Sequence, residues 1–201
     1  MPFAHAADPR VTPVDDPEPE VAEMLAKTMG DDRGVPLAIF RTMARHPRLM
    51  KRFNVLGGFF LTRGELPARE RELVVLRTAW RCGCVYEWAQ HVLIGGKSGL
   101  TEKEIARVAT ESDEWSPRDL TLLRAADEVL DAVDVSDATW AALGHDWTDV
   151  QRVELVVLVG FYRMAAGFLN ATGVVKDADL PDWPHSQGST CGHAPDKEKQ
   201  Q

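Results

Sequence analysis

Apolar residues recur along the chain at intervals of three and four, turn-forming residues fall between the apolar segments, and no stretch alternates strictly between apolar and polar. The class this predicts is all-α. The first helix expected is "PEVAEMLAKTMG", closed by Gly30, and the second is "PLAIFRTMARH", ending ahead of Pro47, which disfavours helix in the residue before it. "PRLMKRFNVLGGFFLTRG" reads as one or two short helices around Gly57 and Gly58. "LPAREREL" then opens a strong helix, with Pro67 suited to its first turn, and "VVLRTAW" continues it. Further helices fit "YEWAQHVLIGGKSG", "TEKEIARVAT", "SPRDLTLLRAADEVLDA", "SDATWAAL" and "WTDVQRVELVVLVGFYRMAAGFLNATG". Ser116 and Ser136 stand where helix N-caps are wanted.

The pattern fades at both ends. Residues 1–19 hold five prolines and a run of acids, and residues 185–201 are polar with almost nothing to bury. The expected organisation is a flexible arm over 1–19, one helical domain over 20–184 and a disordered tail over 185–201. A net charge of −8, with no long Lys/Arg cluster, argues against nucleic acid and anionic membranes as partners. The start "MPFAHAADPR" lacks the features of a signal peptide, and no run approaches the roughly 18 apolar residues of a membrane span. The expected location is therefore cytoplasmic. Three cysteines, two of them Cys82 and Cys84, make no disulfide framework.

The pentapeptide "ELVVL" occurs at 72–76 and again at 154–158. Either a common helix face recurs by chance or the segment is repeated; if it is repeated, that offset sets Cys84, Glu87 and His91 opposite Ala166, Leu169 and Gly173, and any chemistry belongs to the first copy. On a helical wheel Glu72 shares its side with Val75, Leu76 and Ala79, which places a carboxylate on an apolar stripe. Burial would raise its pKa toward neutrality and suit it to proton transfer; held by Arg69 or another arginine, it would instead be an interfacial glutamate.

Continuous helix would separate Glu72 from Cys84 by about 18 Å, so the chain must turn, and Gly83 in "RCGC" can take the left-handed conformation that allows it. Cys84 would then stand at a helix amino terminus, where the local potential lowers a thiol's pKa. Cys84, Glu87, Trp88 and His91 fall on one face of the next helix and could meet Glu72. No Cys-x-x-Cys pair is present, since Glu87 occupies the position three after Cys84. The ligands for a structural zinc site are likewise missing from the helical region, and no metal is expected. What survives is acid–base chemistry by Glu72, Glu87 and His91, with Cys84 beside them and Tyr86 and Trp88 to exclude water.

"LPAREREL" followed by "CVYEWAQH" resembles the carboxymuconolactone decarboxylase family, which is related to the alkyl hydroperoxidase D-like (AhpD-like) proteins. Members of that superfamily carry a glutamate and, twelve residues later, Cys-x-x-Cys-x-x-x-His. Glu72, Cys84 and His91 match in register, and Glu87 replaces the second cysteine. The resemblance extends over about residues 36–184, including "FYRMAAGFLNATGV" and "LPDWP".

This resemblance implies an all-helical AhpD-like fold assembling as a trimer or hexamer, with sites near subunit interfaces. It also implies no cofactor: in the decarboxylase branch a conjugated carbonyl accepts electrons as carbon dioxide leaves, and the enzyme supplies a proton to carbon. The function expected is a cofactor-independent lyase or isomerase acting on a small carboxylated lactone or related acid. Glu72 and His91 would handle the proton, Glu87 would orient His91 or bind substrate, and Cys84 would line the pocket. Arg69, Arg77, Arg81 and Arg163 are candidates to hold the substrate's anionic group. Two alternatives stay open: an alkylhydroperoxidase-like enzyme, with peroxiredoxin activity, in which Cys84 attacks peroxide, and a non-catalytic helical oligomer.

Overall fold

The computed structural model describes residues 8–110, 112–176 and 179–184. The tail read over 185–201 lies outside the described residues, as does the start of the arm at 1–7. Among the described residues the chain forms nine helices: α1 Pro19–Leu25, α2 Ala38–Met43, α3 Pro47–Thr62, α4 Ala68–Arg81, α5 Val85–Lys97, α6 Glu102–Val108, α7 Pro117–Ala132, α8 Asp137–Asp146 and α9 Asp149–Thr172. They contain no strand; a single isolated bridge joins Gly30 and Pro36.

α4 is the centre of the packing, with α5, α6, α7 and α9 all laid against it. Every residue from Arg71 to Ala79 is buried, so the helix is enclosed on all sides. Its apolar positions feed two clusters. Val74 and Val75 pack with Leu122, Leu155, Leu158 and Phe161, while Leu73, Leu76 and Ala79 pack with Trp88, Leu100 and Val108. An enclosed helix leaves its charged side chains no route to water, so Arg71, Glu72 and Arg77 must find partners inside.

The helix ends follow the sequence closely. Ser116 and Ser136 accept from the backbone N–H groups of Asp119 and Thr139, and Thr101 and Thr148 form capping boxes with Glu104 and Gln151. α1 and α2 are shorter than their apolar patterns suggested. α3 runs unbroken through Gly57 and Gly58, and Gly57 lies against the ring of Phe161, which a Cβ would approach to 3.1 Å. α9 is apolar and long enough to cross a membrane by composition and length, a feature missing from the sequence reading. Here its inner face, from Leu155 to Leu169, is part of the core.

The described residues of the arm make specific contacts with the body. Arg10 and Val11 donate backbone N–H groups to the Thr172 carbonyl, at 2.9 and 3.1 Å, Val14 donates to Arg41, and Arg45 binds the Thr12 carbonyl.

Candidate active site

Two local devices bring the chemistry together. At the end of α4, Cys82 is helical, Gly83 takes φ +60°, and Cys84 is extended at the N-cap of α5. Gly83 N–H donates to the Trp80 carbonyl and Cys84 N–H to the Ala79 carbonyl, which is a Schellman closure with glycine at its left-handed position. The chain thus folds α5 back along α4. Close approach is then set by Gly95, where a Cβ would meet Leu100, Leu76 and Glu72 at 3.2, 3.4 and 3.7 Å. His91 lies one turn before Gly95, on the part of α5 that passes Glu72.

Glu72 has no solvent exposure, and both its oxygens are engaged. Oε2 lies 2.6 Å from His91 Nδ1, and Oε1 accepts from Arg71 Nε at 2.8 Å. Arg71 also donates to the carbonyls of Phe60 and Leu61, both at 3.3 Å. Burial alone would push the Glu72 carboxyl up, but His91 and then Arg71 outweigh it and hold the pKa below the ordinary value. The raised value expected for Glu72 is therefore corrected: the buried carboxyl is ionised. Its arginine is Arg71 instead of Arg69.

Glu87 lies at the opposite extreme. It is 3% exposed, its Oε1 has no hydrogen-bond partner, and burial holds its pKa well above the ordinary carboxylate range. Glu87 and His91, one turn apart on α5, both line a cavity of about 340 Å³. The walls come from α2, α3, α5 and α9 and are mainly apolar, with Ile39, Phe40, Phe53, Phe161 and Leu169 among them. With Nδ1 taken by Glu72, Nε2 is the imidazole atom left for the cavity. The His91 ring packs edge-on against Tyr162, with centroids 5.0 Å apart.

The remaining candidates divide between the cavity and other places. Tyr86 lines the cavity, and its hydroxyl accepts from Ile39 N–H at 3.2 Å. Trp88 points the other way, into the cluster of Leu73, Leu76 and Val108, and packs tilted against Trp183 with ring centroids 5.7 Å apart. The shared face of Cys84, Glu87, Trp88 and His91 thus splits, because α5 is buried on two sides. Cys84 is fully buried among Ala38, Tyr86, Ala166 and Leu169 and is not part of the cavity wall. Burial raises the Cys84 thiol far above its ordinary pKa. The expected lowering at the helix terminus is overturned, since lost hydration outweighs the terminal potential.

Arg69 is clamped on Asp119 at 2.9 and 3.0 Å and on Glu104, away from the cavity. Arg163 donates to the Leu130 carbonyl and borders a separate cleft with Arg81 and Cys82. Arg77 binds Asp127 and Arg81 binds Asp131. Among the described residues lining the cavity, the cation is Lys27, exposed at the rim. No group of three or more His, Cys, Asp or Glu side chains among the described residues is placed to hold a metal ion. Sequence reasoning missed Arg71, Gln90 and Tyr162; Arg71 follows the "ARERE" register, whereas Tyr162 in its apolar helix carries no signal beyond core packing.

Residues 47–128 match the model of the carboxymuconolactone decarboxylase family, a stretch from α3 into α7 that contains Glu72, Cys84, Glu87 and His91. No curated protein matches the chain. Among solved structures, the alkylhydroperoxidase AhpD core of a peroxidase-related protein from Ralstonia eutropha JMP134 superposes with a TM-score of 0.73 at 22% identity, over 87% of this chain and 95% of that one. A peroxidase-related protein from Silicibacter sp. TM1040 gives 0.70 at 16% identity, over 84% and 93% of the two chains. The debrominase Bmp8 gives 0.69 at 16% identity, over 84% and 92%. At these identities the likeness is one of fold. Together they bear out the resemblance read in the sequence: residues 47–128 match the carboxymuconolactone decarboxylase family model, and the fold is the AhpD-like helical one.

Proposed function

We propose that the chain is an acid–base enzyme of the lyase or isomerase kind, moving a proton on a small conjugated carbonyl compound held in the cavity. One contrast carries the reading. Two carboxyls at one site are driven in opposite directions, Glu72 kept ionised by His91 and Arg71, and Glu87 kept protonated by burial without a partner. Environments that separate two carboxyls in this way assign the base side and the acid side of a reaction. Enzymes occur within the family and fold, which favours catalysis over a purely structural role.

In this reading Glu72 accepts a hydrogen bond from the Nδ1–H of His91 and so presents the Nε2 lone pair to the cavity. Nε2 takes a proton from carbon next to the carbonyl, and the C–H electron pair moves into the carbonyl to give an enolate. The Glu87 O–H donates to that oxygen as charge develops, and return of the proton to a different carbon completes an isomerisation. Where the substrate bears a suitably placed carboxylate, loss of carbon dioxide leaves the same enolate. In that branch His91 enters the step as the imidazolium, its Nε2 proton taken from solvent beforehand, and delivers that proton to carbon.

The carboxylated lactone keeps its place as one substrate class, with its anionic group placed at Lys27 at the rim and the reacting carbonyl inside. A cavity of about 340 Å³ suits a ligand of that size. The fold neighbour Bmp8 also has a structure, of a cysteine variant, in complex with 2,3,4-tribromopyrrole, a small planar ring. The peroxidase alternative is disfavoured, because Cys84 has neither access to the cavity nor a stabilised thiolate. A homo-oligomer belongs to the same proposal; Leu56 and Phe59 on α3, with Val153, Val157 and Met164 on α9, leave apolar surface for a subunit to cover.

The test is deuterium exchange. Small conjugated ketones, lactones and unsaturated acids are incubated with the protein in heavy water and followed by NMR. Wash-in at the carbon next to the carbonyl, abolished in His91→Ala, is expected. Absence of exchange across the panel, together with thiol-dependent peroxide consumption lost in Cys84→Ser, would overturn the proposal.

A further inference from the structure

The acid–base reading leaves one polar group in the cavity without a task. Tyr162 on α9 is 5% exposed and lines the cavity. Glu87, on the facing helix, lines the same cavity with its Oε1 buried and without a hydrogen-bond partner. Buried polar atoms are almost always satisfied, so an orphaned carboxyl oxygen and a phenol hydroxyl on one apolar cavity call for a common partner.

Resting on that reading, we propose that Tyr162 and Glu87 form a paired donor site for a single ligand oxygen of the enolate or phenolate type, which makes Tyr162 a further catalytic residue. Both groups carry their proton. Burial first, then the charge of Glu72, hold the Tyr162 phenol well above its ordinary range, so it remains a donor. Neither donor has positive charge of its own. The acceptor they stabilise best is therefore an oxygen that gains negative charge while water is excluded, and least a neutral hydrocarbon. The edge-on packing of His91 against Tyr162 at 5.0 Å puts the base beside this donor, so one carbonyl compound can meet both. Phe40, Phe53 and Phe161 supply the apolar wall for its ring or chain. When His91 removes the carbon's proton, the electron pair comes to rest on the oxygen held by Tyr162 and Glu87, and no bond to either residue forms.

The probes are 4-fluorophenol, which brings the oxygen, and fluorobenzene, which lacks it, titrated by fluorine NMR into the full chain. The wild type should bind the phenol more tightly. Tyr162→Phe keeps the ring against His91 and should lower phenol affinity by about tenfold to a hundredfold, the range of one charge-assisted hydrogen bond, with fluorobenzene unaffected. Equal affinity of wild type and Tyr162→Phe for the phenol, or a parallel loss for both probes, would overturn the donor site. The deuterium exchange assay separates this failure from that of the proposed function. Exchange that persists at full rate in Tyr162→Phe, with phenol binding indifferent to the change, removes the donor site and leaves the proton-transfer reading. Oxygen-selective binding lost in Tyr162→Phe, with no exchange on any carbonyl compound, supports the donor site and removes that reading.

Discussion

Glu72 Oε2 lies 2.6 Å from His91 Nδ1, joining α4 to α5 inside the protein, while the other Glu72 oxygen holds Arg71. The carboxylate therefore has two tasks, fixing the imidazole tautomer and neutralising a buried guanidinium. Glu72→Gln keeps the shape and removes the charge. Exchange activity should fall by about a hundredfold to ten-thousandfold, since the imidazole loses its orienting anion. Stability should fall by about 3 kcal/mol, because Arg71 keeps only neutral acceptors such as the Phe60 and Leu61 carbonyls. Urea unfolding at neutral pH, beside the exchange assay, separates the two effects.

The two site carboxyls impose opposite pH dependences on stability. Glu72 is depressed in the folded state, so its contribution is present above the ordinary carboxylate range and is lost as pH falls through the folded value. Glu87 is raised, so its contribution is whole below that range and is lost progressively as pH rises toward and through its folded value. Glu87→Gln removes the second effect alone. The variant should gain on the wild type as pH climbs from the carboxylate range toward neutrality, by up to about 1.4 kcal/mol per pH unit. Parallel stability curves for the two proteins would show that Glu87 is not held protonated.

Thiol chemistry should be suppressed in the native state. Burial raises the Cys82 thiol to about 11 and the Cys84 thiol further still. Iodoacetamide, followed by peptide mapping, should label Cys84 only after unfolding and Cys82 slowly. Cys84→Ala should retain exchange within about threefold, with a stability cost of about 1 kcal/mol for the small cavity it leaves. Rapid native labelling of Cys84 would instead restore the peroxidase reading.

What could be read from the sequence was whatever local rules decide. The left-handed Gly83, the serine caps and the meeting of Glu72 with His91 follow from turn chemistry and helix spacing. The errors lie where tertiary burial takes over. A helical wheel groups Cys84, Glu87, Trp88 and His91, but α5 is buried on two sides, and only packing sends Trp88 toward α6 and Glu87 toward the cavity. The helix terminus favours a Cys84 thiolate by a modest amount, and complete burial overrides it. Arg69 and Arg71 look interchangeable in "ARERE", yet Arg69 reaches Asp119 and Arg71 reaches Glu72.

The repeated "ELVVL" offers a direct control. Glu154, the counterpart of Glu72, is also buried, but it accepts backbone N–H bonds from Glu65 and Leu66 at 2.6 and 3.2 Å, holding the turn that leads into α4. A Cβ at Gly64 would collide with this carboxylate, which is why the chain passes so closely. α9 continues where α4 stops, since Met164, Ala165 and Ala166 stand in place of the "CGC" break. Glu154→Ala strands two backbone donors and should cost about 2–4 kcal/mol in urea unfolding, while exchange by the folded fraction stays near wild type. Glu72→Gln should do the reverse, losing activity out of proportion to stability. If both glutamates affected exchange equally, the Glu72–His91 pair would be a packing feature and the catalytic assignment would fall.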